Sequence, residues 1–105
     1  MAAPAVLLLR VAQAWPLPGL GLLALPDGPA LALANHELHT ALAVEAILPD
    51  GARYPGMATV EEISRLGEVV PSRGLLLDFS APIEVPAGTE VWLAEPESDP
   101  FMGLD

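Results

Sequence analysis

Short apolar runs separated by turn residues follow one another along the whole chain. Residues 6–11 and 20–25 are two such runs, and Pro18 and Gly19 lie between them. A proline that presets φ, followed by a glycine that accepts a positive φ, is typical of a type II turn. The pattern therefore predicts a β-hairpin, with Gly21 at a bulge or at a close approach of two backbones.

Two segments later in the chain show the alternation that is typical of strands with one buried face. Residues 74–80 place Leu75 and Leu77 on one face, with polar side chains among those on the other. Residues 89–94 place Trp92 on the face opposite to its apolar neighbours. A period of two residues predicts a β-strand in each segment.

Residues 35–48 are compatible with either a helix or a strand. Asn35 as N-cap and Pro49 as a stop favour a helix. As a strand, residues 40–48 place alternate apolar side chains on one face and Glu45 on the other. We favour the strand because turn signals are dense on both sides. The helix is the alternative, and it predicts an α+β domain.

Three further segments have weaker patterns. Residues 30–34 fit a short strand, and residues 53–56 fit a loop because they contain a proline and a glycine. Residues 57–67 fit either a strand over 58–63 or a helix that begins at a capping box.

The order of these elements predicts an all-β fold. Spread prolines and glycines with short apolar runs between them favour many short strands over long helices. We expect a single domain over residues 1–94, folded as a small closed or nearly closed barrel of about six or seven short strands. Residues 95–105 are acidic and contain two prolines, and we expect them to form a flexible tail.

The first hairpin also resembles a known family. A strand, an aromatic residue, two close glycines and a second strand are similar to the opening of the β-barrel second domain of the translation GTPases, the family of elongation factor Tu. The matching residues are Val6, Leu8, Val11, Trp15, Gly19, Gly21 and Leu23. Residues 85–91, with Gly88 before the last strand, resemble the closing segment of that domain. The family usually has a basic residue between the two glycines, where this chain has Leu20. The resemblance implies a barrel, and it makes RNA binding an alternative function.

The charge balance disfavours nucleic acid as a partner. The formal net charge is −10, and the chain contains no lysine. The four basic residues are Arg10, Arg53, Arg65 and Arg73. Nucleic-acid affinity comes largely from lysine and arginine side chains that neutralise phosphates. An acidic interaction module that binds a protein partner, such as an accessory or immunity-like protein with a basic target, fits the charge better.

The residues required for common enzyme mechanisms are missing from the sequence. There is no cysteine, no phosphate-binding glycine-rich loop followed by lysine, and no serine in a nucleophile elbow. We therefore expect a non-enzymatic protein without a cofactor. The second alternative is a small metal-dependent enzyme that uses His36, Glu37 and His39, because histidines three apart share a face if they lie on a helix.

Three residues are candidates for contact with a partner. Arg53 and Tyr54 are adjacent and of the types that anchor interfaces. Trp15 lies beside the predicted turn and is the third candidate. The absence of cysteine, of a signal sequence and of a long apolar segment leads us to expect a cytoplasmic protein that does not enter a membrane.

Overall fold

A computed structural model describes residues 6–28, 30–63, 72–80 and 83–94. Over these residues, the chain forms one closed antiparallel barrel of six strands. The strands are β1 (Val6–Leu17), β2 (Gly21–Pro26), β3 (Ala41–Ile47), β4 (Arg53–Ile63), β5 (Ser72–Phe79) and β6 (Glu90–Leu93). Around the barrel they follow the order β1-β2-β5-β4-β3-β6, and β6 pairs with β1 to close it. The predicted all-β barrel is confirmed.

The long strand β1 closes the barrel because its two halves pair with different neighbours. Its first half lies against β6, where Arg10 is opposite Glu90. Its second half lies against β2, where Trp15 is opposite Leu23. The register of β1 shifts once in each half, and such irregularities bend a strand and increase its twist. The bend allows β1 to pair with β6 along its first half and with β2 along its second half.

The turn between β1 and β2 has the predicted geometry. The Leu20 N–H donates to the Leu17 carbonyl at 2.9 Å, and Gly19 has a φ of +80°. Gly21 has a φ of +131°, and a Cβ at this position would collide with the carbonyl oxygen of Leu77 on β5. The predicted close backbone approach at Gly21 is therefore confirmed.

The core fills the inside of the barrel with aliphatic side chains. Strand alternation sends one side chain in two inward, as predicted for Leu75 and Leu77, which are fully buried. The buried cluster consists of Leu8, Leu9, Val11, Ala24, Leu33, Val44, Ala58, Val60, Leu75, Leu77, Val85 and Val91. A six-stranded barrel is narrow, so small inward residues such as Ala24 and Ala58 leave room for the leucines.

The strand predicted over residues 30–34 is wrong. The chain forms a 3₁₀ helix there, Leu31–Asn35, which contacts β1 and β5. Leu33 on this helix is fully buried in the core cluster. Ala32 before it is partly buried against the same cluster, so this short helix contributes two apolar side chains to the core.

The loop predicted over residues 53–56 is also wrong, because these residues belong to β4. Pro55 lies opposite Glu45 of β3, and the pairing of β4 with β5 begins only at Gly56. A strand accommodates a proline where it has a single neighbour. Gly56 is required because a Cβ there would lie 2.6 Å from the ring of Phe79.

Each of the two segments with ambiguous patterns contains a strand, and neither forms an α-helix in the part that the structure describes. Residues 41–47 form β3, with Val44 and Ala46 buried, and the alternative helix over 35–48 does not form. Residues 57–63 lie in β4, and the remainder of the possible helix over 57–67 lies outside the described residues. The predicted tail, residues 95–105, also lies outside them.

Candidate protein interface

An aromatic side chain, Trp92, lies on the outer surface formed by β6, β3 and β4. Trp92 of β6 is opposite Glu45 of β3, and Glu45 is in turn opposite Pro55 of β4. Trp92 and Glu45 have outward parity because Val91 and Val44 next to them are buried, and Pro55 has it because it lies three residues from the buried Ala58 on β4. Cross-strand pairing thus brings together residues that are distant in sequence.

Two ion pairs flank this aromatic residue. Arg53 Nη1 donates to Glu45 Oε1 at 3.0 Å on one side, and Arg10 Nη2 donates to Glu90 Oε2 at 2.9 Å on the other. The arginine side chains keep about half or more of their surface exposed, at 64% and 52%. Exposed pairs contribute little to stability, and their relevance here is that they place two arginine side chains on the same outer surface as Trp92.

Trp92 itself is held by a hydrogen bond. Its Nε1–H donates to Glu90 Oε1 at 3.0 Å, so the Glu90 carboxylate binds Arg10 through one oxygen and Trp92 through the other. These two hydrogen bonds, with that from Arg10 the larger effect, lower the pKa of Glu90 below its ordinary value. Glu90 is therefore a charged acceptor that orients both groups.

Trp92, Glu45, Arg53 and their neighbours line an open groove with a volume of about 450 Å³. The residues that line it include Glu45, Ile47, Arg53, Pro55, Trp92 and Ala94. We call this surface the Trp92 groove. It combines apolar walls with charged groups at the rim, and tryptophan and arginine are the residue types most often found at the energetic centre of protein interfaces. A groove of this kind can accept an apolar or aromatic side chain of a partner.

The three predicted contact residues do not lie together. Arg53 lines the Trp92 groove, whereas Tyr54 follows it on β4 and shares the inward parity of Ala58. Trp15 is 38% exposed and is linked to Thr59 of β4 by cross-strand pairing through Leu23 and Leu76. Thr59 lies six residues after Arg53 on the same strand. Six residues of strand span about 20 Å, so Trp15 belongs to a different surface.

The histidines proposed as metal ligands lie in the connection between the 3₁₀ helix and β3. Because this connection is not a helix, the shared face that would bring His36 and His39 together does not form. The His36 carbonyl accepts a hydrogen bond from Arg73, and His39 Nδ1 lies 3.3 Å from the Glu61 carboxylate. Within the described residues, no group of three or more histidine, aspartate or glutamate side chains is placed to hold a metal ion.

Trp92 was not among the contact residues predicted from the sequence, where the pattern only placed it on the face opposite to its apolar neighbours. The sequence signal that could have identified Trp92 is the alternation along β6. Glu90 and Trp92 lie on one face, and the buried Val91 lies on the other. The sequence alone does not reveal that Glu45 and Arg53 of other strands join them, because strand order and register decide that.

Comparison with family models, with curated proteins and with solved structures finds no match to this chain. The resemblance to the second domain of the translation GTPases therefore stays a prediction. In the ranges that the structure describes, no helix has the length and apolar character needed to cross a membrane.

Proposed function

We propose that this protein is a non-catalytic binding module that engages a protein partner through the Trp92 groove. The observation that carries the proposal is the grouping of Trp92 with two ordered arginine–glutamate pairs on the outer face of neighbouring strands. Side chains that are ordered before binding lose less conformational entropy on association. The groove is therefore suited to recognition.

A basic protein is the partner that the charge favours. The formal net charge of −10 creates a field that attracts cationic surfaces and accelerates association with them. We expect such a complex to weaken with added salt, because the Debye length falls to about 8 Å at physiological ionic strength.

RNA binding, the alternative that the translation-factor resemblance implies, has less support. The three arginines in the described ranges already donate hydrogen bonds within the protein, Arg10 and Arg53 to carboxylates and Arg73 to a backbone carbonyl. Phosphate contacts would require these side chains to leave their partners, and the field of the whole molecule would oppose the approach of a polyanion.

Quantitative affinity capture from an extract of the native host tests this proposal. The bait is the whole protein, compared with Trp92→Ala and with Trp15→Ala as a matched loss of an aromatic side chain outside the groove. We expect the partner recovered by the wild type to be reduced at least about tenfold by Trp92→Ala, a typical hot-spot effect, and to be retained by Trp15→Ala.

Two outcomes would overturn the proposal. One is recovery of the same partner by all three baits, which would place its contact elsewhere. The other is recovery of RNA in place of protein, detected by nuclease treatment of the captured material. Matching thermal midpoints of the three baits establish that differences in capture do not come from unfolding.

A further inference from the structure

A second part of the outer surface is unusually apolar. On the outward side of β2, β5 and β4, Leu23 lies opposite Leu76, and Leu76 lies opposite Thr59. Met57, two residues from Thr59, is 47% exposed. We call this surface the β2–β5–β4 face. Outward positions of antiparallel sheets are ordinarily polar, and contiguous apolar groups on a surface mark sites of interaction.

A carboxylate lies on the central strand of this face, near its end. Asp78 is exposed, lies opposite Met57, and follows Leu76 by two residues on β5. Of the arginines in the described ranges, none forms an ion pair with Asp78; Arg10 and Arg53 are bound to Glu90 and Glu45. The face therefore presents apolar side chains next to a negative charge.

The charge decides which occupant the face suits. A second copy of this chain would bring two molecules of formal net charge −10 into contact and place Asp78 in an apolar interface, where a carboxylate without a cation is costly. A partner with a cation at that point removes both penalties. Leu76 and Asp78 are about 7 Å apart along the strand, so the complementary apolar and cationic groups must be close neighbours in the partner.

We propose that the β2–β5–β4 face binds a protein segment in which bulky apolar side chains stand next to lysine or arginine. The apolar groups pack on Leu23, Leu76 and Met57, and the cation lies against Asp78. The flexible side chain of Met57 can pack against apolar side chains of different shapes, so the face does not require one exact partner sequence. The site adjoins the Trp92 groove along β4 but shares none of its wall residues.

Synthetic peptides of about 14 residues test this inference directly. The first alternates leucine with lysine, the second replaces every lysine by glutamate, and the third replaces every leucine by serine. Each is titrated into the ¹⁵N-labelled protein at about 0.15 M salt, where distant charges are screened. We expect the leucine–lysine peptide to shift the amide signals of Leu23, Met57, Leu76 and Asp78, and the other two to bind at least about tenfold more weakly.

Matched variants separate specific binding from general attraction. Asp78→Asn and Glu84→Gln each remove one exposed carboxylate, but Glu84 lies outside the face. We expect Asp78→Asn to weaken binding of the leucine–lysine peptide by about two- to fivefold, as for an exposed ion pair, and Glu84→Gln to leave it unchanged. Trp92→Ala should also leave it unchanged, which keeps this test independent of the proposed role of the groove.

Two results would overturn the inference. Equal weakening by Asp78→Asn and Glu84→Gln would show attraction to the net charge alone. Amide shifts centred on residues 44–47 and 90–94 would place the peptide in the Trp92 groove.

Discussion

Gly21 has a φ of +131°, and a Cβ on it would collide with the Leu77 carbonyl oxygen. Gly19 has a φ of +80° but open space around it, and Gly28 has neither restriction. The three glycines near the first hairpin therefore differ in how strongly they disfavour replacement by a residue with a Cβ. Left-handed backbone alone disfavours a Cβ modestly, whereas a collision with backbone atoms forces a strand to move.

We expect Gly21→Ala to reduce the free energy of unfolding by more than about 2 kcal/mol, because β2 would be displaced from β5. Gly19→Ala should cost about 1 kcal/mol, and Gly28→Ala less than about 0.5 kcal/mol. Urea denaturation of the three variants measures these values. Equal stability of Gly21→Ala and Gly28→Ala would contradict the close approach of β2 to β5.

Glu90 is the residue whose ionisation reports on the groove. The hydrogen bonds from Arg10 and Trp92 lower its pKa in the folded state. A carboxylate with a lowered folded-state pKa stabilises the fold at pH values above its ordinary value near 4.5, and this contribution is lost as the pH falls through the folded-state value. The contribution of Glu90 to stability should therefore be fully present at neutral pH and should be lost at acidic pH, as the carboxylate is protonated.

An NMR titration of the Glu90 carboxyl carbon checks this expectation. We expect a midpoint below 4.5 in the wild type, a rise toward 4.5 in Arg10→Gln, and a smaller rise in Trp92→Phe, because the Arg10 hydrogen bond has the larger effect. A wild-type midpoint at or above 4.5 would contradict the ordered arrangement of Arg10, Glu90 and Trp92.

At the scale of elements, the turn before β6 connects that strand to the irregular part of β1. The Val11 N–H donates to the Thr89 carbonyl, and the Gly88 N–H donates back to the Val11 carbonyl, both at 2.8 Å. Thr89 is fully buried, and its hydroxyl donates to the Pro86 carbonyl at 2.7 Å. This turn thus fixes the position at which β6 begins and, through it, the register that closes the barrel.

We expect Thr89→Val to reduce the free energy of unfolding by about 0.5–1.5 kcal/mol, because it removes the part-buried hydrogen bond from the Thr89 hydroxyl to the Pro86 carbonyl, while the Thr89 N–H still donates to that carbonyl. Thr59→Val is the control, since Thr59 lies on the outer face and its hydroxyl bonds to no other residue in the described ranges. Thermal unfolding followed by circular dichroism measures both. A loss for Thr59→Val as large as that for Thr89→Val would contradict the role of the turn.

The elements that could be predicted from the sequence are those specified by local patterns. The turn at Pro18 and Gly19 needs only backbone geometry, and the alternation at Leu75 and Leu77 needs only one buried face. The strand at residues 53–56 was missed because proline and glycine ordinarily interrupt strands. Here Pro55 lies where β4 has one neighbour and Gly56 lies beneath an aromatic ring, and both facts depend on tertiary pairing.

The candidate site was predicted less completely for the same reason. Arg53 was identified, but its partner Glu45 and its neighbour Trp92 come from β3 and β6, and register determines that they meet. Strand order in a barrel arises from long-range pairing, which a single sequence does not encode in any local window.

At the scale of the whole molecule, the charge is strongly unbalanced. The formal net charge is −10 over 105 residues, and ion pairs formed by Arg10 and Arg53 neutralise only two carboxylates in the described ranges. Repulsion among the remaining carboxylates opposes the compact state, and screening by salt reduces it.

We expect the thermal midpoint at neutral pH to be higher in about 0.5 M than in about 0.02 M sodium chloride. The difference should become small near pH 4.3, the isoelectric point of the sequence, where the net charge is close to zero. A midpoint that falls with salt at neutral pH would mean that attractive ion pairs outweigh the repulsion.

The central claim is that the barrel binds its partner through the Trp92 groove, and site-specific photo-crosslinking in an extract of the native host tests it most directly. A photoreactive phenylalanine analogue is placed at Pro55, which lines the groove, or at Glu84, which is exposed outside both surfaces described above. The account predicts one dominant protein adduct from position 55 and none from position 84. The same adduct from both positions, or from position 84 alone, would contradict it.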